Sequence, residues 1–209
     1  MQIIQCEPPE NVMAIGKFES MHLGHQALIH KAKEAAEKRG LPTVVMSFYP
    51  HPFIVLGNKS YKPLLTNEEA AWVLKEICRI DFFLQYPFNK NLSQMSPESF
   101  CKILFEALKA RELFVGEDYR FGKNRTGTVE HLKKEALQYG ASVTIVPFEK
   151  HGGILISTSR IRGLIEEGKF AEASELLGFE YPQITIMLNP ALSCCGKHSA
   201  DYVPIKIQK

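Results

Sequence analysis

No stretch of the 209 residues approaches the length of a membrane-spanning helix. The N-terminus, with Glu7 and Glu10 around Pro8-Pro9, lacks the basic segment and apolar stretch of a signal peptide. A soluble, cytoplasmic protein that meets no membrane is therefore expected. Cysteine is sparse and oddly placed. Cys6, Cys78, Cys101, Cys194 and Cys195 make five with no Cys-x-x-Cys spacing, which excludes a disulfide framework and a thiolate zinc site and fits reduced thiols. Excess charge of either sign is missing too: 25 basic against 23 acidic side chains, a formal net charge of +2, argues against nucleic-acid binding by bulk electrostatics. It leaves room for a local phosphate site. There is no internal repeat and no low-complexity tract.

What is present is an ordinary globular composition, 45% hydrophobic and 23% charged, in a chain long enough for one sizeable core. Apolar β-rich runs alternate with helical patterns through residue 178. Val12 to Ile15 reads as a strand, Gln26 to Arg39 as a helix ended by Gly40, and Thr43 to Phe48 as a buried strand stopped by Tyr49-Pro50-His51-Pro52. Thr66-Asn67-Glu68-Glu69 is a capping box opening a helix to about Arg79, and Asp81 to Leu84 is the next strand. Ser96-Pro97 opens a helix to about Ala110, followed by a strand from Glu112 to Val115, a helix from Val129 to Tyr139 and a strand from Ser142 to Val146. Strands separated by helices predict an α/β fold, mostly parallel, with helices on both faces. Such sheets bind ligands beyond the carboxyl ends of their strands, which is where each polar cluster falls. Phe179 to Lys209, with Pro182, Pro190, Pro204 and only short apolar runs, is expected to be a short extension to a domain spanning 1–178.

The first cluster is His22-Leu23-Gly24-His25, which follows the first strand and the turn-like Gly16-Lys17-Phe18-Glu19-Ser20-Met21. At a helix start, unsatisfied N–H groups and the positive end of the dipole attract phosphate. Two imidazoles three residues apart share a helix face and can donate further N–H bonds to one oxyanion. Gly24 would let a phosphate approach the backbone. Taken alone, these residues fit a ligand-free helix start equally well.

The second cluster, Ile156-Ser157-Thr158-Ser159-Arg160-Ile161-Arg162, carries three hydroxyls where one cap suffices, with two arginines expected to converge on the same N-terminus. An ordinary capped helix is the competing reading. The third, Val115 to Gly127, is a polar loop with three glycines, an acceptor in Asp118 and ring faces in Tyr119 and Phe121, suited to a planar ligand or to turns alone. In the fourth, two prolines hold His51 rigidly past a strand end, a place where a lone histidine is commonly structural.

In this order the four clusters resemble the bacterial FAD synthetase family, specifically the FMN adenylyltransferase module of the bifunctional riboflavin kinase/FAD synthetases. That family looks like Gly-x-Phe-Asp-Gly-x-His-x-Gly-His, then Phe-x-Pro-His-Pro, then Val-Gly-Glu-Asp-Phe-x-Phe-Gly, then Ile-Ser-Ser-Thr-x-x-Arg. The matching stretches are Gly16 to His25, Phe48 to Pro52, Val115 to Gly122 and Ile156 to Arg162. The resemblance implies a Rossmann-like nucleotidyltransferase fold over about residues 11 to 178 and adenylyl transfer from ATP to FMN, giving FAD and pyrophosphate. It implies that His22, His25 and Arg162 are catalytic, and that Gly16, Lys17, Phe18, Gly24, Ser157, Thr158 and Ser159 join Arg162 around the nucleotide. His51, Asp118, Phe121 and Arg125 would form the flavin side. Mg2+ would accompany ATP, with its ligands unknown. Such transfer needs alignment and charge stabilisation, and no serine or cysteine nucleophile.

Two departures stand out. Glu19-Ser20 replaces the family's Asp-Gly, and Ser20 is expected to tolerate the positive φ of that turn less readily than glycine. Nothing after Gly178 matches the riboflavin kinase module, so kinase activity is not expected; Tyr181 to Met187 is the run closest to its first strand. Two rival readings accompany the main one. A relative could act on another phosphorylated small molecule, against which the Asp118 to Arg125 loop argues. A flavin- or nucleotide-binding paralogue could have lost activity, against which both histidines and Arg162 argue.

Overall fold

A computed structural model describes residues 8–57 and 61–180. Five strands form one sheet: β1 (Asn11–Ile15), β2 (Thr43–Tyr49), β3 (Phe82–Pro87), β4 (Ala110–Gly116) and β5 (Ser142–Val146), in the order β3-β2-β1-β4-β5. Every pairing is parallel. The expected parallel α/β architecture is therefore the one observed.

Alternation along each strand divides the core in two. Val12, Ala14, Val45, Phe83 and Phe114 face α1 (Leu23–Arg39), α3 (Asn67–Trp72), α7 (Thr158–Glu166) and α8 (Phe170–Leu177). Met13, Ile15, Val44, Met46, Leu84, Leu113 and Val115 face α5 (Pro97–Lys102) and α6 (Val129–Gln138). β1 is buried throughout. It is the central strand, covered on both faces, so its continuous apolar run is what a parallel sheet demands.

The helix expected from Thr66 to Arg79 is α3 followed by a wider turn at Val73–Ile77, closed by the i to i−5 bond from Cys78 N–H to the Val73 carbonyl. The helix expected from Ser96 to Ala110 ends likewise at Ile103–Ala107, with Leu108 N–H bonded to the Ile103 carbonyl. Arg79 and Lys109, at φ 51° and 52°, then reverse the chain, where periodicity alone carries no signal. Two short helices, α2 (Pro52–Val55) and α4 (Lys90–Ser93), one turn at Lys123–Arg125 and the hairpin β6 (Lys150–His151) with β7 (Ile154–Leu155) complete the described residues. The extension expected over Phe179 to Lys209 lies outside them from residue 181 onward.

The fold is testable through α1. Ile29 is wholly buried against the sheet, whereas Leu137 on α6 is 76% exposed. Ile29→Ala should destabilise the protein by about 2–5 kcal/mol in denaturant melts, and Leu137→Ala by no more than about 0.5 kcal/mol.

Candidate active site

All four polar clusters begin where the chain leaves the sheet. Gly16 follows β1, Pro50 follows β2, Glu117 follows β4, and Ser157 follows the hairpin beyond β5. Strand order reverses between β1 and β4, which opens a crevice at their carboxyl ends between the loops that start at Gly16 and Glu117.

His22 is the N-cap of α1, and its Nδ1 accepts the backbone N–H of His25 at 3.2 Å. The two imidazoles stack 3.8 Å apart at 9°, with Phe18 edge-on to His25. Burial pushes His22 down to about 4, and burial, then the His22 and Lys17 neighbours, hold His25 well below the usual histidine range. Both rings are neutral at neutral pH. A neutral imidazole that accepts at Nδ1 carries its proton on Nε2, so His22 keeps one donor for a ligand. His25 Nδ1 is buried without a partner. A Cβ on Gly24 would lie 3.2 Å from the His22 ring, so this glycine makes room for the cap itself as well as for an approaching anion.

The second helix start lies against the first. Ser157 caps α7 by accepting the N–H of Arg160, and Thr158 Oγ1 lies 2.9 Å from Ser20 Oγ. Neither α1 nor α7 has an acidic residue in its first turn, nor do the four-residue α2 and α4, while α3, α5, α6 and α8 carry glutamate there. Acids favour helix N-termini, so leaving them out where two N-termini meet preserves the positive field for another anion. Gln26, a buried polar residue that sequence reading passed over, ties the loop after β1 to the end of α8 by donating to the carbonyls of Met21 and Leu177, both at 2.7 Å. Its sequence signal was a glutamine among the apolar positions of a helix.

Several expectations require correction. The positive-φ residues of the first turn are Phe18 at 46° and Met21 at 49°, not Ser20, so serine there incurs no left-handed strain. Phe18 is 2% exposed, and its ring packs against Gly16 and His25. Arg160 does not converge with Arg162: it donates to the carbonyls of Ile154 and Leu155, while Arg162 donates to the Lys62 carbonyl at 3.0 Å. Ser159 is exposed. Phe121 is buried at 6% exposure among Phe100, Tyr119 and His131, so it shapes the third loop. The loop closes through paired backbone bonds between Phe121 and Gly127, and a Cβ on Gly127 would sit 2.8 Å from the Phe121 ring. Asp118 and Arg125 remain exposed on this loop, Asp118 beside Gly116.

His51 is likewise turned inward. Its Nδ1 accepts the N–H of Phe53 at 3.3 Å, and its buried Nε2 faces Glu19 Oε2 at 3.6 Å. Burial, with Lys17 and Arg162 nearby, brings it down to about 4. Tyr61 stacks on it at 4.5 Å, and two cations rest on this aromatic group: Lys17 over Phe53 and Arg162 over Tyr61. Lys17 is further anchored where its carbonyl accepts the Ser47 hydroxyl.

The comparisons agree with this geometry. A family model described as FAD synthetase matches residues 4–160, three quarters of the chain. The chain belongs to the FAD synthetase family. A bifunctional riboflavin kinase/FMN adenylyltransferase of Listeria monocytogenes is 38% identical, with 81% of this chain covering 54% of that protein. Its Escherichia coli counterpart is 32% identical, with 81% and 55% covered. A protein of Listeria monocytogenes named FAD synthetase is 31% identical, with 80% and 68% covered. The chain thus spans about half the length of the bifunctional relatives. A crystal structure described as a macrolide-efflux protein from Streptococcus pneumoniae superposes with a TM-score of 0.73 at 32% identity, covering 82% of this chain and 57% of that one. No helix among the described residues is long and apolar enough to cross a membrane.

Two outcomes follow for this FAD synthetase family site. His22 and His51 are buried and neutral when folded but titrate near 6.5 when unfolded, so unfolding takes up protons at acid pH. Their share of stability is complete above about pH 6.5 and is lost as the pH falls toward about 4. Thermal melts over that range should show the fall, and His22→Asn, which keeps a capping side chain, should make it shallower; an unchanged slope would place the proton uptake elsewhere. Ser20→Gly should lower stability by about 1 kcal/mol through loss of the Thr158 bond, with no gain from relieved strain.

Proposed function

We propose that this chain transfers the adenylyl group of ATP to the phosphate of FMN, giving FAD and pyrophosphate. The observation that carries the reading is the junction of two acid-free helix N-termini, joined by Ser20 and Thr158 and lined by a stacked pair of neutral histidines. Membership of the FAD synthetase family supports the flavin as acceptor.

In this reading a phosphate oxygen of FMN attacks the α-phosphorus of ATP. One P–O bond forms, the bond to the bridging oxygen breaks, and pyrophosphate leaves with that electron pair. No side chain becomes covalently attached. The triphosphate lies between the N-termini of α1 and α7, against backbone N–H groups and the Ser157, Thr158 and Ser159 hydroxyls. His22 Nε2–H donates to the oxyanion as charge builds, and His25, stacked on it, serves as the second donor. Neutral imidazoles suit this role because they stabilise charge without a proton having to be transferred. Lys17 and Arg162 move from their aromatic rests to the phosphates. Asp118 and Arg125, exposed at the crevice, serve the flavin side, and Phe121 holds their loop.

Among the described residues no group of three or more His, Cys, Asp or Glu side chains is placed to hold a metal ion. Mg2+ in this reading would arrive on the ATP phosphates. We place the catalytic unit within residues 1–178 and the working compartment in the cytoplasm.

Incubation with ATP, magnesium and FMN should yield FAD and pyrophosphate on chromatography. His22→Ala and His25→Ala should each lower kcat on the order of 10²-fold, with a smaller change in ATP affinity. Tight binding of both substrates without FAD would reduce the chain to a binding module, and wild-type turnover in both variants would make the histidines structural.

A further inference from the structure

Phe148 stands two residues after β5 with its side chain 41% exposed. One exposed ring is ordinary on a protein surface, but the place of this one is not. A Cβ on Gly116, at the carboxyl end of β4, would lie 4.0 Å from Phe148 Cε1 and 3.4 Å from Asp118 Oδ1, so glycine leaves open a space that the ring and the carboxylate border. A Cβ on Gly24, in the first turn of α1, would lie 3.7 Å from Glu149 Cβ. Two consecutive residues thus reach from the end of β4 to the start of α1, across the crevice that the reversal of strand order opens.

The backbone is held on both sides of the ring. Phe148 N–H donates to Glu117 Oε1 at 3.2 Å, and the Glu149 carbonyl accepts Ile156 N–H at 3.0 Å. Ile156 directly precedes Ser157, the cap of α7, and Arg160 on α7 donates to the Ile154 and Leu155 carbonyls of the same hairpin. The segment that carries Phe148 is therefore fastened to one helix start and lies beside the other. A ring on a fixed backbone loses little freedom when a planar ligand stacks on it.

We propose that Phe148 is the platform on which the adenine of ATP stacks. This deepens the proposed function and rests on it for the phosphates, which lie on the starts of α1 and α7. The Phe148 segment adjoins both of those starts, so the ring brought to it is the one carried by the same molecule as the phosphates. Stacking is indifferent to the hydrogen-bonding edge of a base, so Phe148 supplies affinity for a purine without choosing between purines. The flavin, the other planar ring of the proposed reaction, is distinguished in the test.

Phe148→Ala should weaken ATP binding roughly tenfold, whereas Phe148→Tyr, which keeps the ring, should stay within about twofold of wild type. Inorganic tripolyphosphate brings phosphates to the helix starts without a ring, so its affinity should be the same in all three proteins. Because the side chain is partly exposed, the melting temperature of either variant should stay within about 2 °C of wild type.

The test is calorimetric titration of the full chain with ATP and magnesium, with tripolyphosphate and magnesium, and with FMN, for wild type, F148A and F148Y, together with melting curves and a chromatographic assay for FAD. Loss of ATP affinity in F148A, recovered in F148Y, with tripolyphosphate and FMN unmoved, supports the platform. Unchanged ATP affinity in F148A, FMN weakened in place of ATP, ATP and tripolyphosphate weakened alike, or an F148A protein that no longer folds would each overturn it. ATP binding that depends on the ring, without FAD formation in the wild type, overturns the proposed reaction and leaves the platform standing. FAD formation with ATP affinity unmoved in F148A does the reverse, and a wild type that binds no ATP overturns both.

Discussion

His22 turns its ring back onto its own helix, and much of the site follows from that hydrogen bond. Because Nδ1 accepts the His25 N–H, the ring is held against the start of α1, its remaining proton sits on Nε2, and the ring lies parallel to that of His25. Gly24 leaves the space this requires. Burial keeps the ring neutral, against a hydrogen bond to its own backbone that favours the charged form. A capping residue usually closes a helix start to other ligands. Here the cap satisfies one N–H and leaves a donor of its own.

The sheet turns this local arrangement into a site. β1 is central and buried, and the reversal of strand order beside it brings the loops after β1 and β4 to one edge. α7 reaches the same edge through the Ser20–Thr158 contact, and Gln26 ties the loop after β1 to the end of α8. Two positive helix ends thereby face a common space with no acid in either first turn. Lys17 and Arg162 rest on aromatic faces near this edge.

The strands and the two helix starts were legible because they rest on local rules: apolar runs, caps and the positions of glycine and proline. Which side chains face the ligand was less so. Phe121 and His51 belong to motifs that read as flavin contacts, yet one fills the second core cluster and the other spends both nitrogens on the interior. Sequence order cannot say which way a ring turns at a strand end. Ser20 was misjudged for a related reason, since the reversal at that turn falls on Phe18 and Met21. Ser20, Gln26 and Tyr61 gained importance only through partners distant in sequence, such as the 138-residue separation of Ser20 and Thr158.

The account depends on His22 being neutral, with its proton on Nε2. Long-range ¹H–¹⁵N correlation spectra of the imidazoles measure this directly, with His22→Asn supplying the assignment. The structure predicts an unprotonated, acceptor-type Nδ1 and a protonated Nε2 for His22, with titration only as the pH approaches about 4. A His22 that titrates near 6.5, or that carries its proton on Nδ1 at neutral pH, would contradict both the cap and the donor role built on it.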